Sequence, residues 1–172
     1  MTDGKLAFIS TDNKDNIVFF ASALIEMGWS IIASSETVEE LQNHEIMVED
    51  VAHFTGITED FGFPPTLHPK IEAALTQDVE FKIDLVYDVP YGPEKGNDIG
   101  GRTLLALAAK GQRIVASEPD DMEKVLDELR ENSDHISISE ELRQMLIDKT
   151  NASIANHYLS LSHRRGASLY DG

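Results

Sequence analysis

The chain has 172 residues, 41% of them hydrophobic, and 31 acidic against 14 basic side chains give it a net charge of −17. That length accommodates one domain with a full core, and a mean hydropathy of −0.24 is ordinary for a globular protein. The acidity opposes binding to nucleic acid or anionic membranes, the lack of cysteine excludes disulfides, thiolate metal sites and a Cys nucleophile, and no stretch approaches the roughly 20 apolar residues of a membrane span.

Met1–Lys5 leads straight into an apolar run without the basic segment and small-residue cleavage site of a secretory leader, so a cytoplasmic location is expected. Lys5–Ser10 reads as a buried strand. Asn16–Met27 reads as a helix with Ile17, Phe20, Ala21, Leu24 and Ile25 on its apolar face, closed by Gly28. Ser30–Ala33 is a second predicted strand. Thr37 is expected to cap a helix over Val38–Asn43, with Glu40 completing a capping box. Ile46–Val51 is a third strand candidate, followed by an irregular stretch to Pro65 and a short helix over Lys70–Leu75.

Phe81–Tyr87 is the plainest strand signal, followed by a loop with Pro90, Gly92, Pro93 and Gly96. Helix Gly101–Lys110, strand Gln112–Ser117 and helix Asp120–Arg130, with Pro119 in its first turn, continue the alternation. Glu140–Ser162 reads as helical. Residues 1–162 are thus expected to form one domain, and His163–Gly172 a loose tail. Alternating strands and helices imply a mostly parallel sheet covered on both faces, a three-layer α/β/α sandwich. Ligands of such sheets bind beyond the carboxyl ends of the strands. Attention therefore falls on Ser10–Lys14, Ser34–Thr37, Tyr87–Asp98 and Ser117–Asp120.

Two of these segments carry chemistry on their face. Ser10-Thr11-Asp12-Asn13-Lys14 offers hydroxyls and a cation at a helix start, which suits either a phosphate cradle or ordinary capping. Asp98-Ile99-Gly100-Gly101 places two glycines beside an acid, so that backbone can approach a ligand closely. The six histidines show no metal-ligand spacing.

Asp98–Lys110 (DIGGRTLLALAAK) resembles the DIGG…LLRAAAKN segment of IMP cyclohydrolases. Thr66–Lys70 (TLHPK), Ile83–Val86 (IDLV), Lys5–Lys14, Ala33–Thr37 (ASSET against ASGGT) and Asn151–Tyr158 match the same family in the same order. The resemblance implies a methylglyoxal-synthase-like sandwich. It also implies closure of a formamidoimidazole-carboxamide ribonucleotide to IMP with loss of water, a reaction of positioning and proton transfer for which neither metal nor organic cofactor is expected. It assigns catalysis to Tyr91, Asp98 and Lys110, and binding of the ribonucleotide and its phosphate to Ser10, Lys14, Ser34, Thr37 and Thr66, with Gly100 and Gly101 at the helix start. It further implies a homodimer. His68 reads as a structural element of the TLHP turn.

The chain also departs from the family pattern. The family's RVK before TLHP is replaced by Phe63-Pro64-Pro65, a turn glycine by Glu36, a serine by Asp12, and NLYPF by Val89-Pro90-Tyr91-Gly92-Pro93. Arg102, at a position usually small or apolar, is a candidate to recover anion binding. Glu36 is expected to point away from the phosphate site, or to pair with Arg102 or Lys14. Catalysis requires Tyr91, Asp98 and Lys110 to converge on one crevice. The alternative function is that of a catalytically impaired relative that binds a nucleotide or another small anionic ligand.

Overall fold

In the computed structural model, residues 4–57 and 64–164 are described. Five strands, β1 (Leu6–Ile9), β2 (Ser30–Ala33), β3 (Glu49–Asp50), β4 (Leu85–Tyr87) and β5 (Ile114–Ala116), form a sheet in the order β3-β2-β1-β4-β5. Every pairing is parallel. The helices are α1 (Ile17–Glu26), α2 (Ser35–Asn43), α3 (Val51–Thr55), α4 (Pro69–Thr76), α5 (Ile99–Lys110), α6 (Pro119–Glu131) and α7 (Glu140–Arg164).

Period-2 alternation along the strands divides the core between two layers. Ala7 and Ile9 of β1 join Phe20, Leu24, Leu41, Val125 and Leu129 on the side of α1, α2 and α6. Phe8, between them, packs on the other face with Ile71, Leu75, Leu104 and Ala108 of α4 and α5. This is the α/β/α sandwich that the alternation predicts. Among the described residues no helix is long and apolar enough to cross a membrane.

Several element boundaries differ from the sequence reading, for local reasons. The third strand shrinks to two residues because the Asp50 side chain accepts the Ala52 N–H at 2.7 Å and starts α3. Helix α2 begins earlier than expected: Ser34 takes the N-cap position and its carbonyl accepts from Thr37 and Val38. Thr37 therefore sits inside the first turn instead of capping it. Gly28 adopts φ 85°, the left-handed conformation that ends α1, as its position implied. His163 and Arg164 extend α7 beyond the predicted end at Ser162. Residues 165–172 of the predicted tail, and Phe63, lie outside the described residues.

Successive connections leave β1 towards β2 and leave β4 towards β5, so the sheet's winding reverses between β1 and β4. Ser10, just past β1, donates its N–H to the Tyr87 carbonyl at 3.0 Å across this junction. A doubly wound sheet opens its ligand crevice at such a point.

Candidate functional site

A crevice of about 330 Å³ lies at this junction. The loops after β1 and β2 contribute Ser10, Asp12, Ser34 and Glu36, the segment before α4 contributes Pro64, Pro65 and Thr66, and the β4–α5 connection contributes Asp88, Tyr91, Asp98, Gly100 and Gly101. Seven of the residues singled out in the sequence thus share one cavity: Ser10, Ser34, Thr66, Tyr91, Asp98, Gly100 and Gly101.

Lys14 and Thr37 stand behind its wall. The Lys14 ammonium donates to the Thr11 carbonyl at 2.9 Å and to Thr37 Oγ1 at 3.3 Å, and the Ser34 hydroxyl donates to the same Thr37 oxygen at 3.1 Å. One cation and two hydroxyls are therefore linked beside the N-terminus of α2, an arrangement suited to an anion. His68 caps α4 by accepting the Lys70 N–H on Nδ1 at 3.1 Å, in keeping with its structural reading.

Asp98 caps α5, its Oδ1 accepting the Gly101 N–H at 2.8 Å. The two glycines that follow are sterically required. A Cβ on Gly100 would come within 2.6 Å of Pro64 Cβ, and one on Gly101 within 2.8 Å of Asp88 Oδ2 and 2.9 Å of Asp98 Oδ2. The double proline therefore packs against the crevice wall without filling the cavity.

Asp88 is the residue that sequence reasoning missed. It follows β4 directly, is 3% exposed, and its Oδ2 has no hydrogen-bond partner among the described residues. Since both carboxyl oxygens lie within 3 Å of the same point above Gly101, they are less than about 6 Å apart, a range in which two carboxylates resist joint ionisation. Burial, and secondly the Asp98 charge, push the Asp88 carboxyl well above the usual carboxylate range, opposed by Arg102. Its position at the carboxyl end of a central strand was the signal that could have found it.

Three expectations are corrected. Lys110 is the last residue of α5, whose first turn borders the crevice. Eleven steps of about 1.5 Å from Ile99 carry it about 16 Å along the axis, to the opposite end of the sheet, so it does not join Tyr91 and Asp98. Arg102, 6% exposed, turns away from the cavity and donates to the Tyr91 carbonyl at 2.8 Å. It lines a small separate pocket with His157, because one residue beyond Gly101 is a rotation of about 100° around the helix. Glu36 is exposed and borders the crevice instead of pointing away, and among the described residues it forms no ion pair with Lys14 or Arg102. Asp12 does find a cation that the sequence reading had not foreseen: Lys95, at 2.7 Å.

No family model matches the chain. Among curated proteins it is 32% identical to the bifunctional purine biosynthesis protein PurH of Rippkaea orientalis, over 96% of this chain and 39% of that protein. It is also 32% identical to PurH of Ruminiclostridium cellulolyticum, over 81% and 33%, and 34% identical to PurH of Thermosynechococcus vestitus, over 74% and 30%. The chain thus spans between about 30% and 39% of the length of these relatives. The crystal structure of ForH superposes with a TM-score of 0.78 at 24% identity, over 94% of this chain and 98% of that one, in keeping with the methylglyoxal-synthase-like sandwich.

Proposed function

Because this chain is related to one part of the bifunctional purine biosynthesis protein PurH, we propose that its crevice binds a formamidoimidazole-carboxamide ribonucleotide and closes the second ring to give IMP and water. The observation that supports this most is the convergence of Ser10, Ser34, Thr66, Tyr91, Asp98 and the glycine pair on one cavity at the sheet's switch point. In this reading the phosphate lies against Ser10, Ser34 and the N-terminus of α2, with the Lys14 charge behind them. The reacting groups lie towards α5. Asp98, oriented by the Gly101 N–H, accepts a proton from the amide nitrogen as that nitrogen adds to the formyl carbon. The Tyr91 hydroxyl polarises the formyl oxygen. Lys110 takes no part, and the acid it would have supplied must come from elsewhere.

A second reading is favoured by the position of Lys110 and by the four acidic residues, Asp12, Glu36, Asp88 and Asp98, that line the crevice without a basic one among the described residues. In it the crevice binds a nucleotide or another small anion and performs no chemistry. Incubation with the formylated ribonucleotide separates the two. Appearance of IMP absorbance, reduced at least tenfold in Asp98→Asn, supports ring closure. Thermal stabilisation by IMP without turnover supports binding alone.

A further inference from the structure

We propose that Asp88 is a catalytic residue of this crevice, sharing a single proton with Asp98 so that a carboxylic acid and a carboxylate face the same space above Gly101. The proposal rests on the ring-closure reading and supplies the acid which that reading lacks.

Four observations carry it. Asp88 is 3% exposed, borders the crevice, and leaves Oδ2 without a partner among the described residues. Thr66, 4% exposed and bordering the same crevice, has an equally unpartnered Oγ1. Buried polar atoms left open in this way on one cavity are groups that a bound ligand can complete. Gly100 and Gly101 keep the space between them clear. Finally, no third His, Cys, Asp or Glu among the described residues stands close enough to make the pair part of a metal-binding group.

The location of the proton follows from the contacts. Asp98 Oδ1 is engaged as the acceptor of the Gly101 N–H at 2.8 Å. Asp88 Oδ2 receives no hydrogen bond among the described residues and its side chain is buried, so the neutral form belongs there. The charged groups facing it are Asp98 and Arg102, both from α5. The guanidinium is engaged by the Tyr91 carbonyl and forms no ion pair with either aspartate among the described residues.

Such a pair balances the reaction and resets itself. In the first half the amide nitrogen bonds to the formyl carbon. Asp98 takes a proton from that nitrogen, the C=O π pair moves to oxygen, and Asp88 protonates the oxygen. This leaves a carbinolamine, a neutral Asp98 and an ionised Asp88. In the second half Asp98 returns its proton to the hydroxyl, which leaves as water. Asp88 removes the proton from the formamido nitrogen as the C=N bond forms. Both carboxyls end as they began.

The test uses the full chain, the formylated ribonucleotide and IMP absorbance. Asp88→Asn keeps the shape and cannot relay a proton, so kcat should fall about 100-fold or more with KM within about threefold. Asp98→Asn should lose as much, and the double variant no more than either single one, because the two act as a unit. Wild-type kcat should fall at both pH extremes. Should Asp88→Asn fail to fold, the wild-type profile decides, and a kcat that stays flat to high pH overturns the proposal. If wild type turns over and Asp88→Asn keeps a third or more of its kcat, Asp88 is not the acid and ring closure stands. If wild type forms no IMP, the ring-closure reading fails and the catalytic role of Asp88 fails with it.

Discussion

The guanidinium of Arg102 donates to the backbone carbonyl of Tyr91 at 2.8 Å, fastening the loop after β4 to the first turn of α5. Arg102 is buried while its Nε lacks a partner among the described residues, so the side chain serves the loop's position more than its own satisfaction. Arg102→Ala would remove this tie and leave a packing defect. The expected cost is about 2 kcal/mol, read as a drop of roughly 4–8 °C in Tm. Arg102→Lys, which keeps the charge but not the fork, should fall between the two. If the alanine variant melts with wild type, the tie has no energetic weight.

Lys110→Ala is expected to leave IMP formation and ligand binding within twofold of wild type, since that side chain is exposed at the far end of α5. Steady-state kinetics check this directly. A hundredfold loss would mean that the lysine reaches the reacting atoms after all.

Gly101→Ala should abolish turnover while leaving a folded protein. The new methyl would sit under 3 Å from both Asp88 Oδ2 and Asp98 Oδ2 and force the carboxyls apart. Circular dichroism together with the IMP assay checks both halves of the expectation.

Asp88 also sets a pH dependence of stability. Its folded-state pKa lies well above its unfolded value, so its contribution is complete below about pH 4 and is lost as pH rises towards the folded value. Asp88→Asn has nothing to ionise. It should therefore melt higher than wild type at pH 7, with the difference narrowing towards pH 4. Equal Tm values at both pH values would show that Asp88 is not held neutral.

Glu36 borders the crevice on the same side as Ser34. Replacing it with glutamine removes one negative charge from the path of a phosphate. Affinity for IMP should rise roughly fivefold at low salt, about 1 kcal/mol, and the gain should shrink as salt is added. Isothermal titration at two ionic strengths measures it.

How much of this was legible beforehand depended on how far each inference had to reach. The sandwich was readable because runs such as Leu6–Ile9 and stripes such as Ile17, Phe20 and Leu24 carry their periods locally. The Asp98-Ile99-Gly100-Gly101 turn was readable for the same reason: the cap and the glycines it orients are neighbours in the chain. Ile25, included in the apolar stripe, is instead 40% exposed, because the face that α1 buries is narrower than the pattern suggested. Asp88 was missed because what distinguishes it is the proximity of a residue ten positions on, brought there by the β4–α5 connection. Arg102 and Lys110 misled in opposite ways. One sits beside the glycines in sequence but a third of a turn away in space, and the other sits in the right motif at the wrong end of its helix.

The Asp12–Lys95 bridge joins the loops after β1 and β4, and both partners are about half exposed. An ion pair so open to water holds weakly and exchanges partners readily. For the ribonucleotide of the proposed reaction, Lys95 is thus an ammonium held only loosely beside Asp12, a residue that lines the crevice. Entry should consequently be governed by dissolved electrolyte more strongly than retention is.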